Sequence, residues 1–272
     1  PEENSFVVRA SSSNSYVYTS SIMKFTILSL AVCLVTMGRA LVEGCNCAAT
    51  MDDIGTKIES SDMIPVCSNS TIVFDGSAID VSNKEFRLFS ADCEGQEDKD
   101  KSFEPAVLEG NEHFSTNEGS THNITLSNVT FVQKDVDAQN CIHTKGTGGI
   151  LDVLGCAFEG ISTNKGRAIL NEQGTVNVRD CSFYNHTNKN YGAAILNYAN
   201  MTIKNSTFSG NQAILNYGGA IGNSGAMEIK SSNFTGNQAI VGGAIYATDS
   251  LSKTTIGATM FVGNIASAPS RS

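Results

Sequence analysis

Three cationic side chains at repeating positions are the chemistry-bearing residues that stand out in this 272-residue sequence. Arg179, Lys204 and Lys230 each lie four residues before a phenylalanine. If they occupy the same point of a strand in successive turns of a coil, their charges form a ladder with steps of ~4.8 Å. Such a ladder can bind carboxylate or sulfate groups of an acidic polysaccharide. The alternative is a solvated strand face that blocks lateral association.

Other side chains that could do chemistry are scattered. Asp152, Asp180 and Glu228 fall in separate repeats and form no cluster, and no nucleophile motif or Gly-rich phosphate loop is present. The histidines share no repeat position and are interpreted as ordinary turn residues: His113, His122, His143 and His186. The sequence therefore predicts no catalytic residue, metal site or cofactor, although inserted loops could still supply catalysis.

The element that must position the ladder is a repeat of about 25 residues. Its marker is a phenylalanine, found at Phe131, Phe158, Phe183, Phe208, Phe234 and Phe261. Aliphatic residues, methionine or threonine stand seven and five residues before each phenylalanine, and this period of two places both side chains on one face of a strand. No repeat contains a helical period, so leucine-rich and ankyrin repeats are excluded.

Two further motifs complete the repeat. Blocks such as Gly218-Gly-Ala-Ile-Gly-Asn223 follow most of the phenylalanines, and Phe-x-Gly-Asn begins at Phe208, Phe234 and Phe261. Three short strands separated by Gly/Asn turns are expected per repeat, stacking on the next repeat as parallel sheets. The asparagines are predicted to form two stacked columns, Asn171/Asn197/Asn223 and Asn211/Asn237/Asn264, that satisfy turn backbone.

These Gly-Gly-Ala-Ile and Phe-x-x-Asn repeats resemble those of right-handed parallel β-helix proteins of the pectin-lyase-like superfamily, and especially those of chlamydial polymorphic outer-membrane proteins. The similarity covers about 120–265 and extends weakly back to about 65. It implies an all-β fold: a right-handed, single-stranded parallel β-helix. Pectate lyases of this superfamily hold calcium with clustered outward Asp and Glu, so calcium is expected only if the chain is such a lyase. The paired-Asp and Gly-His-Gly motifs of polygalacturonases are absent.

The N-terminal part is predicted to be a leader peptide followed by a segment that caps the end of the solenoid. A lysine, an apolar run and Gly38-Arg-Ala40 predict a signal peptide over 23–40, cleaved after Ala40, with 1–22 as an upstream extension. Residues 41–66 are predicted to cap the solenoid with a short helix within 50–63, and 67–265 to form the β-helix. Residues 266–272 follow as a tail. Either the last coil is open or the chain is a fragment of a longer solenoid.

Export is consistent with the cysteines and the glycosylation motifs. Cys67 and Cys93 are candidates for one disulfide bond, and Cys45 and Cys47 are further possible partners for them. Cys156 and Cys181 are candidates for a second bond, with a packed pair of free thiols as the alternative. Seven Asn-x-Ser/Thr triplets are candidate glycosylation sites: Asn69, Asn123, Asn128, Asn185, Asn200, Asn205 and Asn233.

Composition limits the function. The formal charge of −9 argues against a nucleic-acid partner. The sequence after the signal peptide contains no second long hydrophobic run, so no transmembrane segment is predicted there. The sequence therefore indicates a secreted, extracellular binding or structural module for polysaccharide or a cell surface, capable of lateral or end-to-end self-association. The alternatives are a pectate-lyase-like enzyme acting on acidic polysaccharide, and an adhesin fragment.

Overall fold

The computed structural model describes residues 6–9, 15–18, 41–42, 47–93, 103–135, 137–248 and 252–267. Within these ranges, side chains are described from residue 47 onward, apart from residues 92 and 93. The predicted signal peptide, Cys45, the Cys93 side chain and residues 268–272 lie outside the described part. The chain divides into two compact units, Pro1–Ala40 and Leu41–Ser272. In the first unit, Phe6–Arg9 pairs antiparallel with Ser15–Tyr18.

The second unit is a parallel β-solenoid of about seven turns, with about 26 residues per turn. Its described strands form four parallel sheets. Sheet 1 contains Leu41–Val42, Met63–Cys67, Glu85–Cys93, Asn123–Ser127, Ile150–Leu154, Thr175–Arg179, Asn200–Lys204, Ala226–Lys230 and Lys253–Gly257. Sheet 2 contains Thr71–Phe74, Ala106–Gly110, Val129–Gln133, Ala157–Glu159, Ser182–Tyr184, Thr207–Ser209, Asn233–Thr235 and Met260–Val262.

The remaining strands complete each turn. Sheet 3 contains Ile79–Asp80, Phe114–Ser115, Ile142–Thr144, Ile169–Asn171, Ile195–Asn197, Ile221–Asn223 and Ile245–Ala247. Sheet 4 contains Thr187–Asn188, Gln212–Tyr217, Gln238–Val241 and Ile265–Ala266. The sequence predicts three strands per turn, and in the described residues sheet 4 adds a fourth, between sheets 2 and 3 of the last four turns.

The core is a column of phenylalanine rings inside the solenoid. The predicted register is confirmed: Phe183 aligns with Phe208, and Phe208 with Phe234. Both pairs of rings are 4.6 Å apart between centroids and within 2° of parallel, and all three side chains are fully buried. Stacking of identical residues from Phe131 to Phe261 explains why the marker repeats there with so little variation in spacing, whereas Leu108 and Ile72 take its place in the first turns.

Both predicted asparagine columns are present and buried. Asn171 Nδ2 donates to Asn197 Oδ1, and Asn197 Nδ2 to Asn223 Oδ1, both at 2.7 Å. In the second column, Asn211 Nδ2 donates to Asn237 Oδ1 at 2.9 Å and also to a backbone carbonyl. Buried amides that are paired in this way remove the cost of unsatisfied turn backbone.

The corner between sheets 1 and 2 is tight in every turn from Asn128 onward. The residue three positions before each stacked phenylalanine has a positive φ in all six turns, with values from 48° to 60°: Asn128, Gly155, Asp180, Asn205, Ser231 and Ala258. Glycine and asparagine adopt this left-handed conformation at least cost, whereas Ser231 and Ala258 are held there by the strands on either side. The corner separates the end of each sheet 1 strand from the start of the next sheet 2 strand.

The N-terminal end is covered by a helix, Met51–Ser60, as the sequence predicts. Thr50 and Asp53 form a capping box, and Ile54 and Ile58 are buried against the first turn. Among the described residues, no helix is long and apolar enough to cross a membrane. The strand Met63–Cys67 follows directly, so strands of sheet 1 begin before residue 67, within the segment predicted as cap.

Cys67 forms its disulfide with Cys47, one of the two further partners predicted from the sequence, and the first-named partner, Cys93, is wrong. The Cα atoms of Cys47 and Cys67 are 5.2 Å apart. The reason is a parallel bridge between Ala48 and Val66, which brings the segment before the helix alongside the strand that follows it. Cys156 and Cys181 are free and buried, so they form the packed thiol pair, with the Cys156 backbone N–H 3.4 Å from Cys181 Sγ.

Candidate functional site

The candidate site is the outer face of sheet 1. Strand alternation turns the core residues inward and leaves three rows facing out. The row at the ends of the strands contains Arg179, Lys204 and Lys230, paired in direct register across neighbouring strands. The structure therefore brings the three predicted residues together in one line, with steps of ~4.8 Å.

The three cations differ in their surroundings. Lys230 Nζ lies 2.6 Å from a carboxylate oxygen of Glu228, two residues earlier on the same strand. The interaction with Lys230 holds the pKa of Glu228 below its usual value. Arg179 and Lys204 make no ion pair with any carboxylate of the described residues. The ladder therefore offers two free charges and a third that an anionic ligand must share with Glu228.

A groove of about 330 Å³ runs beside the ladder on the same face. Its lining includes Met201, Met227 and polar side chains of the two other outward rows: Thr175, Asn200, Thr202, Thr255 and the Glu228 carboxylate that pairs with Lys230. Lys253 lines it as well and adds a fourth cation to the face. Hydroxyl, amide and ammonium groups beside a row of charges can hydrogen-bond to sugar hydroxyls while the ladder binds acidic groups.

The carboxylates of this face are not arranged as a metal site. Asp152 and Glu228 belong to one row but lie three strands apart, ~14 Å at ordinary strand spacing. Asp152 accepts a hydrogen bond from Asn177 at 2.8 Å, and Glu228 is paired with Lys230. Nowhere in the described part of the chain do three His, Cys, Asp or Glu side chains group in a way that could hold a metal ion. The outward carboxylates therefore do not fit the calcium that a pectate lyase would hold.

The seven candidate glycosylation asparagines all lie in described segments. Asn69, Asn123, Asn185, Asn200 and Asn205 are exposed, whereas Asn128 and Asn233 are half-buried. Asn200 lines the groove on sheet 1. A glycan on Asn200 would occupy the groove, so glycosylation at this residue and ligand binding there would compete.

Contrary to the sequence prediction, the histidines are not all ordinary turn residues, because three of the four are buried. His113 is enclosed between the rings of Phe74 and Phe131, and its Nε2 lies 2.9 Å from the carbonyl oxygen of Leu108. His186 is also fully buried and heads the second asparagine column. Burial lowers the pKa of His113 and of His186 to about 4, so both rings are neutral at pH 7.

A second polar surface, absent from the residues predicted from the sequence, surrounds Arg167 on the outer side of sheet 3. A signal for it is visible in the repeat: the second position of the Gly-x-Ala-Ile block is Ala193, Gly219 or Gly243 in later turns but arginine here. Those later residues are buried. Because Arg167 stands where later turns have a buried small residue, its long charged side chain needs space and hydrogen-bond acceptors that alanine or glycine does not need.

Comparison with known proteins does not assign the chain to a family. No protein-family model matches it, and no curated protein is significantly similar in sequence. The parallel β-solenoid and the geometry of its faces therefore carry the functional argument.

Proposed function

We propose that this chain is a secreted, extracellular β-helix module, related in architecture to the pectin-lyase-like β-helices and to the chlamydial repeats, that binds acidic polysaccharide on the outer face of sheet 1. The observation that carries the proposal is the line of Arg179, Lys204 and Lys230 in direct register. Like charges ~4.8 Å apart repel one another, so they reduce stability unless a ligand neutralises them. An extended polymer with acidic groups at sugar spacing supplies that neutralisation along the row.

The lyase alternative has less support. Glycoside hydrolysis needs two carboxyl groups about 5 to 10 Å apart, and calcium-dependent elimination needs clustered carboxylates. Asp152 and Glu228 are too far apart for either, and each already has a partner. A rigid, polar face with cations and without paired acids favours binding over turnover.

The test is a charge-removal experiment with matched controls. Polygalacturonate and a sulfated polysaccharide are titrated against the protein by calorimetry, with neutral dextran as the reference polymer. The triple variant Arg179→Gln, Lys204→Gln, Lys230→Gln is compared with Lys57→Gln, Lys134→Gln, Lys189→Gln, which removes equal charge elsewhere. At ~0.5 kcal/mol for each exposed pair, the ladder variant should bind about tenfold more weakly.

Three outcomes would refute the binding proposal: equal weakening in both triple variants, equal affinity for dextran, or no binding of either acidic polymer. Incubation of polygalacturonate with the protein and calcium, followed by ultraviolet absorbance, addresses the lyase. If unsaturated products form only when this protein is present, the chain is a lyase and the proposal of a binding module is refuted.

A further inference from the structure

A cleft on the outer side of sheet 3 is separate from the ladder face. It has a volume of about 400 Å³ and is lined by side chains from five successive turns. Glu112 lies towards one end and Asn190 at the other, with Lys145, Lys165 and Arg167 between them. This volume is in the range of small-molecule sites, and it exceeds what a bare ion needs.

Arg167 is the central feature of the cleft. Its side chain lines the cleft, yet the residue is only 7% exposed. Nε donates to the carbonyl oxygens of Tyr191 and Gly192 at 3.1 Å each. Nη1 donates to the carbonyl oxygen of Lys165 at 3.0 Å and to Asn140 Oδ1 at 3.5 Å. In the described part of the chain, Nη2 has no hydrogen-bond partner and no carboxylate forms an ion pair with the guanidinium.

A buried charge without a counter-ion is costly. Burial lowers the pKa of Arg167 to about 10, which reflects that cost, but the group remains charged at pH 7. Backbone carbonyls compensate it only in part, because they carry partial charges. Arg167 lines the cleft together with Lys145 and Lys165, whose ammonium groups add two more positive charges.

The charges around the cleft leave a positive surplus. Lys145 and Lys165 form no ion pair with a described carboxylate, and Glu112 likewise has no ion-pair partner among the described residues. Glu172 lies outside the lining, 3.0 Å from Nε2 of His143, and burial lowers the pKa of that histidine despite the carboxylate. With His143 neutral, the lining holds three cations and one carboxylate, that of Glu112, and counting Glu172 outside the lining still leaves a surplus of one positive charge. The overall charge of the protein is −9.

We propose that this cleft binds an oxyanion, a sulfate or phosphate group, through the free edge of Arg167 with Lys145 and Lys165 beside it. The guanidinium fork suits two oxygens of such a group, and the lysines supply adjustable charge. The amides of Gln139, Asn140 and Asn190 line the rest of the cleft and can hydrogen-bond to the molecule that carries the group. The site is independent of the proposed polysaccharide face.

The test uses inorganic sulfate, inorganic phosphate and a monosaccharide 6-sulfate, titrated while the Nε–Hε signals of arginine are recorded by NMR. We expect saturable shifts of the Arg167 signal with a Kd of about 1 mM or tighter. Tighter binding of the sugar sulfate than of both inorganic ions would identify an ester as the ligand. Tighter binding of an inorganic ion would identify a free anion.

The variants separate binding from folding. Lys145→Gln with Lys165→Gln removes two charges without touching buried groups and should weaken binding at least fivefold. Lys57→Gln with Lys134→Gln removes the same charge elsewhere and should leave Kd unchanged. Arg167→Ala, which introduces the residue found at Ala193 in the next turn, removes the observed signal, so its binding is measured by calorimetry. It should bind none of the three anions while its circular dichroism spectrum is retained. If that variant does not fold, the lysine variants still decide.

The proposal is overturned if none of the three anions shifts the Arg167 signal. It is also overturned if the two double variants weaken binding equally, which would indicate only a general charge effect. Loss of anion binding in the ladder variant, with the lysine variants unaffected, would place the anion on sheet 1 and refute this site.

Discussion

Truncation of a ring in the middle of the phenylalanine column should be far more damaging than the same change at its end. Phe208 is fully buried between Phe183 and Phe234, whose ring centroids are both 4.6 Å away. Phe208→Ala removes a buried ring and leaves a cavity, which costs about 3–5 kcal/mol of unfolding free energy. Phe261 is 45% exposed and stacks on Phe234 at 5.0 Å. With about half the burial and no enclosed cavity, Phe261→Ala should cost about 1 kcal/mol.

The assay is urea unfolding followed by far-ultraviolet circular dichroism, with the denaturant dependence compared among variants. Equal dependence in the wild type and both variants makes their midpoints comparable as free energies. Phe208→Leu keeps most of the buried volume but removes two ring contacts, so it should lose about 1–3 kcal/mol. If Phe208→Ala and Phe261→Ala cost the same, the two rings do not occupy a buried middle and an exposed end, and the stacking argument fails.

Two further perturbations test the polar interior. His113 and His186 have folded pKa values of about 4 against 6.5 when unfolded, so unfolding takes up protons and stability falls as pH drops. Urea unfolding should show a loss of about 2 kcal/mol per pH unit between pH 6 and pH 5, and a flat profile there would contradict their burial as neutral rings. Asn197→Asp places a carboxylate where Nδ2 now donates to Asn223, so it should lower the free energy of unfolding by at least about 3 kcal/mol at pH 7. Asn216→Asp, near the surface, should lower it by less than about 1 kcal/mol. Equal losses in the same unfolding assay would show that the buried asparagine column contributes nothing specific.

The register of the solenoid could be predicted because one physical requirement repeats in every turn. A ring that must stack on the ring above it cannot shift along its strand without turning the whole strand over. The spacing of Phe158, Phe183 and Phe208 therefore determined which residues align, including the outward ones. The fourth strand of the last turns could not be predicted in this way, because segments such as Gln238–Val241 alternate only briefly between buried and exposed residues.

Features that occur once in the chain were predicted poorly, for the same reason. The Cys47–Cys67 bond depends on how the segment before the helix lies against one strand, and no repeat reports that contact. The burial of His113 depends on its place between the rings of Phe74 and Phe131, which occurs in one turn only of the described residues. Arg167 could have been found from the repeat, because an arginine stands where later turns have alanine or glycine. The Gly-x-Ala-Ile motif by itself predicts only turn structure at this position.

The separation between a repetitive interior and a variable exterior explains why both proposed sites lie outside the core. Successive turns from Phe131 onward contribute stacked rings, and the later ones stacked amides, so stability is distributed along the solenoid and an outward residue can change at little cost. The interior also sets the spacing of outward residues, since neighbouring strands hold them at ~4.8 Å regardless of what they are. Arg179, Lys204 and Lys230 thus form a rigid ladder without contacting one another. Arg167 is the exception, because it is a charged residue in a column of buried alanine and glycine. Carbonyl oxygens accept its hydrogen bonds, and the proposed oxyanion would add the counter-charge.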